Sequence, residues 1–417
     1  MVHFPQLISL TLVWEFRESQ AHFIIPETFG HHLGFQYLTY FNLQGLLQWA
    51  ELLPFLQRCP RLAFIRIIWP HDGDMSQLLG ICRRLQYLWF DNRHQQVPSA
   101  IPITDAITVP HPANANHWSH LRQIVAYHPT PAVYRGIIAT FQDYQHVYLN
   151  TIRIRISHRL TARDIQALDL HALALLPLLS EFVFDIHPRC GIVQPLLHNH
   201  VLPLLQAAPR IERCCIRIMH RDDEQTGIFI DRNIPVAIMA RIMHHMPSLR
   251  HLCLHAHHPV TDAVYLLRQL QHHQVRLQSF DWLGHRIGSV DLFAELARMP
   301  GLEWVALGTK DKTVIDSSDF TIFLDHLAAS QTITWLVFTN VSCFRDTHVF
   351  QHIPASVTQL NLYDCAGTDF AGWLTWAFGH PERKVFQDND WTSHTQPVHK
   401  FPPPRSFFIS HEQRYGS

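Results

Sequence analysis

Charge is scarce in this chain. Only 16% of its 417 residues are charged, 33 basic against 34 acidic, for a net charge of −1. So balanced a surface has no global field to draw nucleic acid or an anionic membrane, and neither is expected as a partner. No apolar run reaches 18 residues, so nothing is long enough to span a bilayer. LISLTLVW near the start lacks a basic flank and a small-residue cleavage site, which excludes a signal peptide. No C-x-x-C occurs among the eight cysteines, and their spacing suggests neither a disulfide framework nor a zinc finger. Small, buried, reduced thiols fit a cytoplasmic or nuclear protein.

Catalytic signatures are missing too. There is no G-x-S-x-G, no H-E-x-x-H and no G-x-G-x-x-G, and GTKDKT lacks the glycine a P-loop needs before its lysine. The chain reads as a non-enzyme with no cofactor. Histidine, at 33 copies, is abundant instead.

What the chain does have is a phrase that recurs. In MPSLRHLCLHAHHP the residues Leu249, Leu252 and Leu254 stand at offsets 0, 3 and 5, and the last alternate as a strand with one buried face would. PVAIMARIMHHM before it can form a helix with Val236, Met239, Ile242 and Met243 on one face. TDAVYLLRQLQHH after it offers a second, opened by Thr261 or Asp262 as an N-cap.

The same spacing is read at Leu7/Leu10/Leu12, Phe35/Leu38/Tyr40, Leu62/Ile65/Ile67, Leu85/Leu88/Phe90, Leu121/Ile124/Ala126 and Tyr144/Val147/Leu149. It continues at Leu179/Phe182/Phe184, Ile211/Cys214/Ile216, Leu277/Phe280/Trp282, Leu302/Val305/Leu307, Ile333/Leu336/Phe338 and Val357/Leu360/Leu362. Thirteen starts between residues 7 and 357 give a mean period near 29, with intervals of 23 to 38. A period of that size marks a solenoid, in which each unit touches only its neighbours.

The phrases RCPRLAFIRI, ICRRLQYLWF, HMPSLRHLCL and RMPGLEWVAL resemble those of leucine-rich-repeat proteins, of the irregular long-repeat kind found in fungal F-box receptors. The resemblance covers about residues 4–366. It implies an α/β leucine-rich-repeat solenoid of about 13 irregular repeats, with a curved parallel sheet on the concave side and helices on the convex side. Regular repeats carry an Asn or Cys after the core to bond the turn; here Asn92 and Asn150 are scattered candidates.

Residues 1–366 are thus expected to form the solenoid, and 367–417 a cap helix within 368–381 followed by a partly disordered tail. Helices are expected over 44–57, 130–143 and 162–178. Irregular insertions are expected at 93–117, with four prolines, and at the charged 221–234. The first strand core comes with no helix before it to cover the end, which predicts a segment upstream of this chain. Ile25-Pro26-Glu27 with Tyr37-Leu38 is only a degenerate look-alike of an F-box.

The resemblance further implies protein–protein recognition on the concave face, as the substrate-binding part of a ubiquitin-ligase receptor of the F-box type. Its partner would be a protein bound for degradation, and a ligase adaptor would join through the missing upstream segment. The alternative is a freestanding intracellular scaffold with no ubiquitin role. On the concave positions the first half concentrates Phe41, Arg66, Trp89, Asp91, Tyr127, Tyr148 and Asn150. Aromatic residues and arginine are what binding hot spots favour.

His251, Cys253, His255 and His257 would alternate onto one strand face. Strand neighbours at i, i+2 stand roughly 6–7 Å apart, so two could share a metal and more would need a ligand from another repeat. A solvated polar face, with no metal, is the reading composition favours. Arg153/Arg155 and Arg217/Arg221 are read likewise as a solvated face.

Overall fold

The computed structural model describes residues 7–13, 35–44, 49–67, 75–91, 120–127, 148–156, 176, 178–186, 193–218, 236–244, 246–256, 260–284, 287, 290–314, 317–342, 344–363, 365, 368–379 and 384–388. The chain divides into two units, Met1–Leu249 and Arg250–Ser417. Expectations placed on 93–117, 130–143 and 221–234, and on nearly all of 162–178, lie outside the described residues.

In the first unit eight strands pair in parallel, in sequence order: β1 Ser9–Val13, β2 Tyr40–Gln44, β3 Phe64–Ile67, β4 Tyr87–Asp91, β5 Gln123–Tyr127, β6 Thr151–Ile156, β7 Glu181–Ile186 and β8 Arg213–Ile218. Its described helices are α1 Trp49–Gln57, α2 Met75–Ile81, α3 Val193–Leu196, α4 Leu202–Ala207 and α5 Val236–Met243, with a π-turn at Leu197–Val201 joining α3 to α4. The second unit repeats the plan with β9 His251–His255, β10 Ser279–Gly284, β11 Trp304–Val314, β12 Trp335–Ser342, β13 Gln359–Tyr363 and β14 Lys384–Asp388. Helices α6 Val260–His272, α7 Val290–Arg298, α8 Ser317–Ala328 and α9 Phe370–Phe378 and a 3₁₀ turn Thr347–His352 stand between its strands. Each unit is therefore an open parallel α/β array that steps from strand to strand in sequence order, as a solenoid does.

The apolar phrase explains the strands. In β3 the pattern is alternate: Ile65 and Ile67 are buried, while Phe64 and Arg66 are half-buried on the other face. The buried row meets the helices, for Phe41 lies 4.7 Å from Phe55 of α1 and Phe338 lies 5.4 Å from Phe320 of α8. Helix α7 shows how one repeat grips the next. Its buried Glu295 accepts from Arg268 of α6 at 2.8 Å and from Arg298, one turn on, at 3.1 Å. Both arginines keep their heads in water, so the contact mainly sets the spacing of the helices.

A turn recurs ahead of the strands. The N–H of the residue at offset 0 donates to the carbonyl three residues earlier: Leu62 to Cys59, Leu85 to Cys82, Leu249 to Met246, Val357 to Pro354. The next two N–H groups then share one carbonyl of the preceding repeat, as Ala63 and Phe64 share Thr39.

Two repeats sit in a different frame from the sequence reading. Leu38 donates to Phe35, so Phe35 takes the place of Cys59 and Cys82, and the core triplet is Leu38/Phe41/Leu43 rather than Phe35/Leu38/Tyr40. Asn150 and Thr151 share the Arg122 carbonyl, which makes Leu149 an offset-0 residue and Leu149/Ile152/Ile154 the triplet. In both places a neighbouring apolar residue satisfied the same spacing. Helix α6 begins at Val260, so Thr261 and Asp262 lie in its first turn rather than capping it. Beyond α9, a strand with no 0, 3, 5 phrase, β14, pairs in register with β13.

Among the described residues no helix is long and apolar enough to cross a membrane. Cys59 and Cys82 fill the turn position and are buried, with thiols pushed up to about 12 by desolvation; they are packing groups.

Candidate functional site

Register places the open-face residues of the first unit in rows. One row carries Tyr40, Phe64 and Tyr87, and the next Asn42, Arg66, Trp89, Val125, Arg153 and Val183. A third carries Asp91, Tyr127, Arg155, Asp185 and Arg217. Parallel strands stand roughly 4.8 Å apart, which brings the described side chains of the first two rows close to one another.

They touch as rings and cations. Tyr40 stacks on Phe64 at 4.5 Å and 14°, and Phe64 meets Tyr87 at 6.1 Å. The Arg66 guanidinium lies 4.0 Å from the centre of the Trp89 ring, and Trp89 meets Tyr127 edge-on at 5.5 Å. Arg153 stands 5.5 Å from the Tyr127 ring and closes the series. Tyr40, Phe64, Arg66, Tyr87 and Trp89 are half-buried, leaving part of each to solvent, whereas Tyr127 is 6% exposed. Burial raises the Tyr40 phenol pKa, and the charge of Arg66 opposes it in part.

Two polar atoms in this patch are buried without a hydrogen-bond partner among the described residues: the Asn42 Oδ1 acceptor and the Trp89 Nε1 donor. They flank Arg66 in the same row. Buried polar atoms are normally paired, so this acceptor on β2 and this donor on β4 are exceptions to the usual rule.

Beside the patch lies a charged cluster. Asp185, fully buried, accepts from Arg153 Nη2 at 3.1 Å and from Arg217 Nε at 2.7 Å. Two guanidinium groups converge on one carboxylate, which is held by charge-assisted bonds from both sides. The arginines are about a tenth exposed, so this is a buried network and not the solvated face expected of Arg153 and Arg217.

Of the expected site residues, Arg66, Trp89 and Tyr127 are brought together. Asp91 pairs in register with Tyr127; its side chain is outside the described set. Phe41 is a correction: it is fully buried in the helix-side core, because the frame of its repeat is shifted by three. Tyr148 and Asn150 are corrections too. They directly precede β6, Tyr148 52% exposed, and the strand-face position falls to Arg153. Tyr40, Phe64 and Tyr87 were missed; they stand at offset 2 of the phrase, a position that also carries Trp304 and Trp335 in the second unit, 6.0 Å apart. The alternation of Ile152, Ile154 and Ile156 with Arg153 was the available signal for that arginine.

No family model matches the chain, and no curated protein does. Among solved structures, a protein from Bacteroides fragilis determined by a structural genomics consortium is similar at 12% identity, with 61% of this chain and 68% of that one covered and a TM-score of 0.30.

Proposed function

We propose that the chain is a protein-recognition module, a leucine-rich-repeat array whose open sheet face in the first unit binds a partner protein, and that it is not an enzyme. The observation that carries this reading is the patch of Tyr40, Phe64, Arg66, Tyr87 and Trp89, half-buried rings and a cation in contact across adjoining strands. Large rings on rigid strands bury much area at small entropic cost. The resemblance of RCPRLAFIRI and its fellows supports the repeat type. By the same resemblance, the partner is a substrate delivered to a ubiquitin ligase of the F-box type.

The test is affinity capture with Trp89→Ala and Arg66→Ala beside the native chain, scored against thermal midpoint. Loss of one defined partner at unchanged midpoint supports recognition through this face. A ligase adaptor co-purifying with the full-length protein supports the receptor reading, and its consistent absence favours the freestanding scaffold. Capture indifferent to both substitutions removes the site.

A further inference from the structure

The second unit carries a different kind of cluster. Cys253 and His255 of β9 and Asp281 of β10 place a sulfur, an imidazole nitrogen and a carboxylate oxygen all within 4.8 Å of one another. Register explains the convergence. Cys253 is the direct partner of Asp281, while His255, two residues on, points to the same face and reaches diagonally to Asp281, Nε2 to Oδ1 at 2.8 Å. One strand can offer two ligands on a face; the adjoining strand supplies the third.

We propose that Cys253, His255 and Asp281 form a binding site for a zinc-class divalent cation, held by one thiolate, one imidazole and one carboxylate, with a fourth position open to water. The ligand set is the borderline-soft mixture that such ions select. With bonds of roughly 2.0–2.3 Å, tetrahedral ligand atoms stand roughly 3.3–3.6 Å apart, so the observed cluster needs only small side-chain rotations to close on an ion.

Burial argues the same way. His255 and Asp281 are 3% and 4% exposed, and their neighbours in register include Leu283 and Ala306. A carboxylate in such surroundings is costly unless a cation compensates it, and the imidazole beside it is the group that would share one. Access differs from that of the other thiols. Among the described cysteines only Cys253 is not buried, while Cys59, Cys82 and Cys214 are packed with thiols raised by desolvation. Next to Cys253 the His251 ring nitrogen Nδ1 contacts Ser279 Oγ at 2.8 Å, which keeps the rim polar. Binding would convert the Cys253 thiol to thiolate and release its proton to water, so affinity falls as pH is lowered.

Cobalt(II) titration of the reduced, chelator-treated full chain tests this. With 33 histidines, adventitious binding is expected, so the diagnostic is the thiolate-to-cobalt charge-transfer band in the near ultraviolet. The site predicts that the band saturates at one equivalent, is bleached by zinc, and is absent in Cys253→Ser. Losing even an outer partner costs roughly 10–100-fold in metal affinity, so Asp281→Asn should weaken saturation by at least that factor. A native chain with no band, or a band unchanged in Cys253→Ser, overturns the proposal. A second readout on the native chain needs no variant to fold: zinc should slow alkylation of Cys253, mapped by mass spectrometry, and an unaltered rate overturns it as well.

Discussion

The Arg66 guanidinium lies 4.0 Å from the centre of the Trp89 ring, one strand away on the open face of the first unit. A contact of that kind contributes about 0.5–1 kcal/mol at an exposed site, too little to hold a fold and enough to hold an indole in one orientation. Trp89 is thereby presented between a cation on one side and the Tyr127 ring on the other.

Truncating a central ring of such a patch should cost on the order of 2 kcal/mol or more of binding. Trp89→Ala is expected to weaken partner capture accordingly, with the thermal midpoint nearly unchanged. Tyr148→Ala serves as the control: it removes an exposed residue ahead of β6, outside the ring contacts of the patch, and should leave capture intact. Equal loss in both variants would mean the patch is not the contact.

Asp185 is the hub of two arginines. Replacing it by Ala takes their shared carboxylate from two arginines that are only about a tenth exposed, and removing one partner of a buried pair costs about 3–5 kcal/mol. Urea unfolding should show that loss in Asp185→Ala, and a smaller one in Asp185→Asn, which retains an acceptor. A neutral Asp185→Ala would show that the network is not formed.

Both faces of the sheet are tightly packed in the second unit. Leu252 is 1% exposed, and Leu252→Asp should destabilise on the order of 4 kcal/mol by burying an unpaired charge. On the other face, a Cβ at Gly308 would stand 2.6 Å from Leu283 Cδ1 and 3.0 Å from Thr339 Cβ. Gly308→Val should cost about 1–3 kcal/mol through overpacking; a stabilised variant in denaturant titration would contradict the register of β10, β11 and β12.

Asp369 caps α9, accepting from the Ala371 N–H at 3.1 Å and from the Thr347 hydroxyl. The Thr347 hydroxyl first, then the Gly372 and Ala371 N–H groups, hold its carboxyl below the usual carboxylate range. A depressed folded value means that its contribution is present above the unfolded value of about 3.9 and fades as pH falls through the folded one. The midpoint gap between the native chain and Asp369→Ala should therefore be full at neutral pH and shrink in acid. A gap that widens in acid would reverse the sign.

Much of this architecture is legible in the residues, because a period of apolar triplets reports which side chains must be buried. Leu62/Ile65/Ile67 and Leu249/Leu252/Leu254 are buried as read, the first of each in the turn and the other two on the strand. Phase is less legible. Phe35 and Leu149 satisfy one spacing while serving another, and only the turn bond of Leu38 and the bond from Asn150 to the Arg122 carbonyl of the preceding repeat decide between them. That slip sent Phe41 to the wrong face and hid Arg153. The Asp281 contact to His255 was beyond reach for another reason: it joins residues 26 apart through register, which no single strand encodes.

The central claim, recognition on the open face of the first unit, is tested most directly by a photo-crosslinking phenylalanine analogue in place of Tyr87, half-buried in the patch, and in place of Tyr265, 44% exposed on α6. Irradiation in the native cell should join a discrete protein to position 87, reduced by Trp89→Ala in the same chain, and leave position 265 unjoined. A product at 265 alone, or one at 87 that Trp89→Ala does not diminish, would contradict the account.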